Sequence, residues 1–257
     1  MTDSREESRH GINYERISHS YDRHRSVGGP FVPVLVRLAE SCGAKRVLEL
    51  GPGTGNVSAA FQSVYPCRLI GGELSEGMLA KAVAKGIPGS AWVRSNAMAI
   101  PLADASVDFV FGCYMLHYIP ELRGLFGECR RVLRPGGVCA FVTTAHDYIR
   151  RHPMTRFFPS FAPIDLARFP SEEALVASMR DTGLEQVGCD TVSEPRAIDR
   201  AYAAKVAARF LSTFDLMTDT EFNEGVERLN AALEPTGRID CETGWEALIV
   251  HGQRAAA

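Results

Sequence analysis

The chain has 257 residues, 46% of them hydrophobic, with 28 Lys and Arg against 31 Asp and Glu and a net charge of −3. That length suits one large α/β domain, and the slight acidity excludes a general nucleic-acid binder, which carries a basic excess. No run approaches ~18 apolar residues, so no membrane span is expected, and the polar first residues lack a signal-peptide core.

The seven cysteines are scattered, with no Cys-x-x-Cys pair. Neither a disulfide framework nor a metal site is expected, and free thiols suit a reducing cytoplasm.

In chain order, residues 14–25 form a polar helical stretch ending in Tyr21-Asp22-Arg23-His24-Arg25. Gly28-Gly29-Pro30 breaks it, and an amphipathic helix over 31–42 starts just after the proline. Strands and helices then alternate, as in a parallel sheet with crossover helices. The pattern predicts strands over 46–50, 68–73, 91–95, 107–113 and 138–143. Helices fall at 54–64, at 76–85 with Ser75 as cap, and at 121–133, ended by Pro135-Gly136-Gly137.

Beyond residue 145 the pattern loosens. Residues 146–170 hold Phe157, Phe158, Phe161 and Phe169, too apolar for a solvated linker. Ser171 caps a helix to about 181, a sixth strand covers 184–192, and a last strand covers 245–251. Between those strands, 195–237 reads as two helices, 197–212 and 219–233. The expected architecture is a single domain over 1–257: N-terminal helices (14–45), a core (46–145), and two covering segments (146–170 and 195–237).

The chemistry concentrates at Val47-Leu48-Glu49-Leu50-Gly51-Pro52-Gly53-Thr54-Gly55-Asn56. A strand, a glycine turn and a helix N-terminus form a site for a nucleotide at the carboxyl ends of parallel strands. The spacing differs from the dinucleotide fingerprint, whose third glycine would stand at Asn56. Glu73, closing the second strand, can accept both hydroxyls of a ribose. Asn96, after the third strand, can bond an adenine edge, and Leu74 and Met98 offer apolar faces to the ring. A solvated carboxylate and a loop asparagine are the plain alternatives.

These stretches resemble the class I S-adenosylmethionine-dependent methyltransferases, in particular their quinone-biosynthesis-like small-molecule branch. The resemblance rests on VLELGPGTGN (47–56), GGELSEGMLAKA (71–82), NAMAIPLADASVDFVF (96–111), MLHYIPELRGLFGECRRVLRPGG (115–137) and YDRHR (21–25). It implies a Rossmann-like, doubly wound sheet of seven strands, the last antiparallel. Most small relatives join strands six and seven by a short hairpin, and the 195–237 stretch of this chain is expected to form a helical cap inserted between them. It also implies S-adenosylmethionine as cofactor and methyl transfer to a small organic acceptor. By correspondence Glu49, Gly51, Gly53 and Gly55 surround the methionine part, Glu73 takes the ribose, and Leu74, Asn96, Ala97 and Met98 meet the adenine. Tyr21 would approach the cofactor's carboxylate and Cys113 its sulfonium. Most members carry Asp where this chain has Asn96, which implies a weaker contact there.

His117, on the turn after strand four, is the candidate base where the acceptor is a hydroxyl or a carbon acid. Tyr114, Tyr118 and His146 share its rim, and Arg200 and Tyr202 on the first cap helix are candidate acceptor contacts. Arg196, Arg200, Lys205 and Arg209 fall at helical spacing there, which suits an acidic or phenolic acceptor or a solvated basic face. Two rival readings are a nicotinamide-dependent oxidoreductase, disfavoured by the glycine spacing, and a cofactor-binding scaffold without turnover.

Overall fold

A computed structural model describes residues 29–241 and 243–256. Tyr21 and the predicted 14–25 helix lie outside the described residues.

The first helix, α1 (Val32–Ser41), begins with Pro33 in its first turn and buries Leu35, Val36, Leu38 and Ala39. There follow β1 (Arg46–Leu50), α2 (Asn56–Val64), β2 (Arg68–Glu73), α3 (Glu76–Ala84), β3 (Ser90–Arg94), β4 (Val107–Cys113), α4 (Leu122–Val132) and β5 (Leu133–Thr143). Ser75 caps α3 as expected, its hydroxyl accepting from the Met78 N–H. One boundary differs at the end of α4. The helix stops at Val132 because Leu133 turns extended and pairs with Val107, so Pro135-Gly136-Gly137 lies within the β5 strand.

The main sheet has seven strands in the order β3-β2-β1-β4-β5-β9-β6. Its last member, β9 (Trp245–Arg254), runs antiparallel between β5 and β6 (Leu184–Glu194). The other strands are therefore all parallel, and their carboxyl ends lie along one edge. Central strands buried on both faces need unbroken apolar runs, and β4, Val-Asp-Phe-Val-Phe-Gly-Cys, is buried over its first six residues. Alternate side chains then divide between the faces. Val47, Phe109 and Phe111 pack under α1 and Phe61 of α2, while Leu48, Leu50 and Val110 pack under α4 and α7 (Glu172–Asp181).

A third core lies apart from the sheet. Between β5 and α7 the chain forms α5 (His146–Arg151), a 3-10 turn (Pro153–Arg156) and α6 (Phe161–Arg168). Between β6 and β9 it forms β7 (Ala197–Asp199), α8 (Arg200–Ala207), a 3-10 turn (Ser212–Leu216), α9 (Asp219–Leu233) and β8 (Arg238–Asp240), with β7 and β8 paired. Met154, Phe157, Phe158 and Phe161 interlock with Ile198, Val206, Phe214, Phe222 and Leu229, so the two segments make one helical unit. Gly225 in mid-α9 is a close-approach glycine, since a β-carbon there would collide with the Phe158 ring.

The predicted helix over 197–212 is shorter than expected. Asp199 takes the N-cap position, its carboxylate accepting from the Tyr202 N–H, and residues 197–199 pair with β8 instead. The other end stops at Ala207, and Arg209 sits in the left-handed region at φ 51°. Arg196 and Arg209 are therefore not on the helix. Arg196 stacks over the Tyr202 ring, and Arg209 pairs with Asp219 and lies over the Phe222 ring. The expected row of four basic residues does not form, because two of its members hold the unit together.

Phe214 is fully buried among the rings of Phe158, Phe161, Phe210 and Phe222. Phe214→Ala should lower stability by about 3–5 kcal/mol in urea denaturation. An unchanged midpoint would show that the ring is not part of a close-packed core.

Candidate active site

The ends of β1, β2 and β4 meet at the glycine turn. Gly51, Gly53 and Gly55 all take left-handed backbone, with φ of 63°, 57° and 80°, a region that side chains with a β-carbon enter at a cost. The Gly51 N–H donates to the Gly72 carbonyl at 2.9 Å, tying the turn to β2. The Gly55 N–H closes the turn on the Pro52 carbonyl at 2.9 Å, and Gly55 is the N-cap of α2. A β-carbon on Gly55 would face Trp92, Ile87 and Ala82, so this glycine lets α2 lie close to the sheet.

Glu73 binds the turn directly. One carboxylate oxygen accepts from the Gly53 N–H at 2.8 Å and the other from the Ser75 N–H at 2.9 Å. Beneath the turn, Glu49 is buried and accepts the Ser58 hydroxyl. Burial chiefly, with a smaller contribution from the Glu73 charge, raises its pKa to about 8, against the Ser58 bond. Two carboxyl groups under one glycine turn make a floor suited to a cationic or hydroxyl-bearing ligand.

Leu74, directly after Glu73, is a large hydrophobic residue left 45% exposed. Asn96 is exposed, with Ala97 and Met98 half-buried beside it, at the end of the neighbouring strand β3. The Asn96 side-chain oxygen accepts the Met98 N–H at 2.9 Å, an Asx turn that Asp would form equally well. Apolar surface at two adjacent strand ends thus flanks a polar turn, an arrangement that fits a flat, polar-edged ring.

On the other side of β1, β4 ends in Cys113, whose thiol is raised well above its ordinary pKa, first by burial and then by Glu49. A thiol held neutral in that way is a poor nucleophile. Tyr114 follows at φ 53°, an unusual conformation for a bulky residue, with its N–H bonded to the Val142 carbonyl at 2.8 Å. Such strain recurs at functional turns, where surrounding structure holds it.

The 3-10 turn Leu116–Tyr118 carries His117. Its imidazole is buried, 4.0 Å centre to centre from the Tyr118 ring and stacked at 4.2 Å on Phe169. His146 joins the same group, its Nε2 2.8 Å from the Phe169 carbonyl oxygen. The helical unit reaches this turn through Tyr118, whose hydroxyl donates to Ser212 Oγ at 3.2 Å. His117, Tyr118 and His146 thus gather around Phe169, whereas Tyr114 lies edge-on to Phe31 at 6.0 Å, on the side of the α1 core. Tyr202 belongs to the packing of the helical unit, edge-on to Phe210 at 5.5 Å, with burial pushing its phenol up to about 12. Arg200 is exposed at the start of α8 beside Gly237, and no described contact joins it to the turn after β4.

The sequence reading missed Arg168 and its partners. Arg168 is buried at the end of α6, paired with Asp165 at 2.9 Å and bonded to Ser212 and Thr213. The signal was an Asp and an Arg three residues apart in a segment otherwise full of phenylalanine and proline.

Residues 48–141, from β1 to β5, match the family described as "Methyltransferase domain". The chain is 30% identical over 166 residues to the malonyl-[acyl-carrier protein] O-methyltransferase of Methylococcus capsulatus, covering 63% of this chain and 58% of that protein. It is 30% identical over 157 residues to the ubiquinone/menaquinone biosynthesis C-methyltransferase of Desulfotalea psychrophila, covering 59% and 63%. These two matches span less than two thirds of the relatives' length. With the malonyl-[acyl-carrier protein] O-methyltransferase of Enterobacter lignolyticus the identity is 30% over 189 residues, covering 72% of each chain. Among solved structures, a SAM-dependent methyltransferase from Aquifex aeolicus shares the fold at a TM-score of 0.60 and 17% identity, covering 95% of this chain and 100% of that one. The glycine turn, the strand order and these likenesses agree: the chain belongs to the class I S-adenosylmethionine-dependent methyltransferases.

Proposed function

We propose that the chain transfers the methyl group of S-adenosylmethionine to a small organic acceptor. The observation that carries this reading is the Gly51–Gly55 turn bonded to Glu73, with the buried Glu49 carboxyl beneath it and Leu74 exposed beside it. Those residues fit the cofactor's three parts. Gly51, Gly53 and Gly55 let the main chain approach the methionine portion, and the buried Glu49 carboxyl suits its ammonium. Glu73 takes the ribose, and Leu74, Ala97, Met98 and Asn96 flank the adenine. Cys113 is nearest the sulfur by family correspondence. When bound, S-adenosylmethionine would supply an electrophilic methyl for the acceptor's lone pair, with the sulfonium as leaving group.

The chain's own task is placement, which can supply about 7–11 kcal/mol of a barrier. His117 takes the acceptor's proton where that group is a hydroxyl or a carbon acid. The unit built from 146–170 and 195–237 covers the acceptor, a role supported by its contact with the turn after β4. The relatives' names point to an acyl chain on a carrier protein or to a quinone ring carbon, and both are acceptors to assay first. The seven cysteines, all free thiols in the structure, suit a cytoplasmic setting.

The test is acceptor-dependent formation of S-adenosylhomocysteine with methyl-labelled cofactor, beginning with a malonyl thioester and a demethylated quinone. Labelled product with either acceptor supports the reading, and failure to bind both S-adenosylmethionine and S-adenosylhomocysteine overturns it. Glu73→Ala should weaken cofactor binding by about 1.5–3 kcal/mol, since it removes a charged acceptor and releases the Gly53 N–H it holds. Unchanged affinity would move the ribose contact elsewhere.

A further inference from the structure

Arg168 joins three parts of the molecule. It closes α6, its Nε donates to Asp165 Oδ1 at 2.9 Å, and its Nη2 donates to Ser212 Oγ at 2.9 Å and Thr213 Oγ1 at 3.1 Å. Thr213 donates in turn to Asp165. Ser212 Oγ also receives the Tyr118 hydroxyl from the turn after β4, and the guanidinium lies 5.3 Å from the centre of the Phe169 ring that stacks on His117. The arginine is therefore one ring away from the candidate base.

Two of its three nitrogens are satisfied and the third is not. The side chain is only 4% exposed, and Nη1 is buried with no hydrogen-bond partner among the described residues. Buried donors are almost always paired, and an exception in an otherwise complete network asks for a missing partner. Leaving both N–H groups of a guanidinium nitrogen dry and unpaired is costly.

We propose that Arg168 Nη1 holds a carboxylate of the methyl acceptor, making this residue the determinant of an acidic acceptor class. The inference rests on the proposed methyl transfer for the acceptor's role, but the binding itself does not require the cofactor. A guanidinium presents five donors in a planar fork and can serve two carboxylates at once. Asp165 occupies Nε alone, which leaves both Nη1 hydrogens for a second acceptor. Nη1 is closed from solvent, so the carboxylate reaches it when the Tyr118–Ser212 bond opens.

The test compares benzoate with benzamide, and malonate with malonamide, by calorimetry on the whole protein, with and without S-adenosylhomocysteine. The acids should bind about 10–100-fold more tightly than their amides, the span of a charge-assisted hydrogen bond. Arg168→Lys keeps a charge for Asp165 but removes Nη1, and should bring that ratio close to one while S-adenosylhomocysteine affinity stays within about twofold. The wild-type acid-to-amide ratio stands even if the variant folds poorly. Equal binding of acids and amides, or a selectivity that survives Arg168→Lys, overturns the proposal. Loss of S-adenosylhomocysteine binding in the wild type would instead overturn the methyl-transfer reading, and the cofactor-free titrations would still decide the role of Arg168.

Discussion

Gly53→Val abolishes S-adenosylhomocysteine binding, by at least about 100-fold, in a protein that still melts cooperatively. Gly53 sits at φ 57° with its N–H on the Glu73 carboxylate at 2.8 Å. A β-branched residue in that region carries strain of about 1–3 kcal/mol. It also places two methyl groups on the face where the main chain must approach the ligand. The turn escapes the strain only by rotating, and rotation takes the Gly53 N–H away from Glu73. Both effects act on the ligand site, whereas the sheet core beneath is untouched. Calorimetry with a parallel thermal melt reads the two separately. A folded Gly53→Val protein with wild-type affinity would place the ligand somewhere other than this turn.

The second large effect is on turnover. His117→Ala should lower kcat by about 10²–10⁴-fold with an acceptor that must lose a proton. Cofactor affinity should stay close to wild type, because His117 is on the turn after β4 and not on the turn between β1 and α2. Its ring is clamped between Tyr118 and Phe169, so truncation also leaves a gap, and a fall in kcat alone would not separate chemistry from packing. The choice of acceptor does. A base role confines the loss to acceptors that must shed a proton, whereas a packing gap lowers turnover of an already ionised acceptor as well. A near-normal kcat with both kinds of acceptor would leave placement of the methyl and the acceptor as the whole of the catalysis.

The parallel core was legible because its signals are local. The residues that mark the strand ends lie within a few positions of them: Gly51 to Gly55 after β1, Glu73 closing β2 with Ser75 capping the next helix, and Asn96 after β3. The antiparallel last strand was expected from the family resemblance, and the order β3-β2-β1-β4-β5-β9-β6 agrees with it. The helical unit was only half legible. Its apolar residues announced a core, but not that Phe157, Phe158 and Phe161 from one segment share it with Phe214 and Phe222 from another 50 or so residues on. That pairing is long-range, and helical periodicity carries no information about it. The same limit produced the error at 197–212, where Arg196 and Arg209 look like members of one helical face. Asp199 as a cap and residues 197–199 as a strand partner of β8 decide otherwise, and the partner lies far along the chain. Arg168 was hidden for a related reason. A single arginine acquires meaning only when Asp165, Ser212 and Tyr118 are brought around it by three separate segments.

The central claim is that the turn between β1 and α2, bonded to Glu73, is a site for S-adenosylmethionine and not for a dinucleotide. Calorimetry of the wild-type protein with S-adenosylhomocysteine and with NAD, under identical conditions, tests it most directly. One molecule of S-adenosylhomocysteine should bind per chain, weakened by Glu73→Ala and lost in Gly53→Val, with no heat from NAD. Binding of NAD with no response to S-adenosylhomocysteine would contradict it.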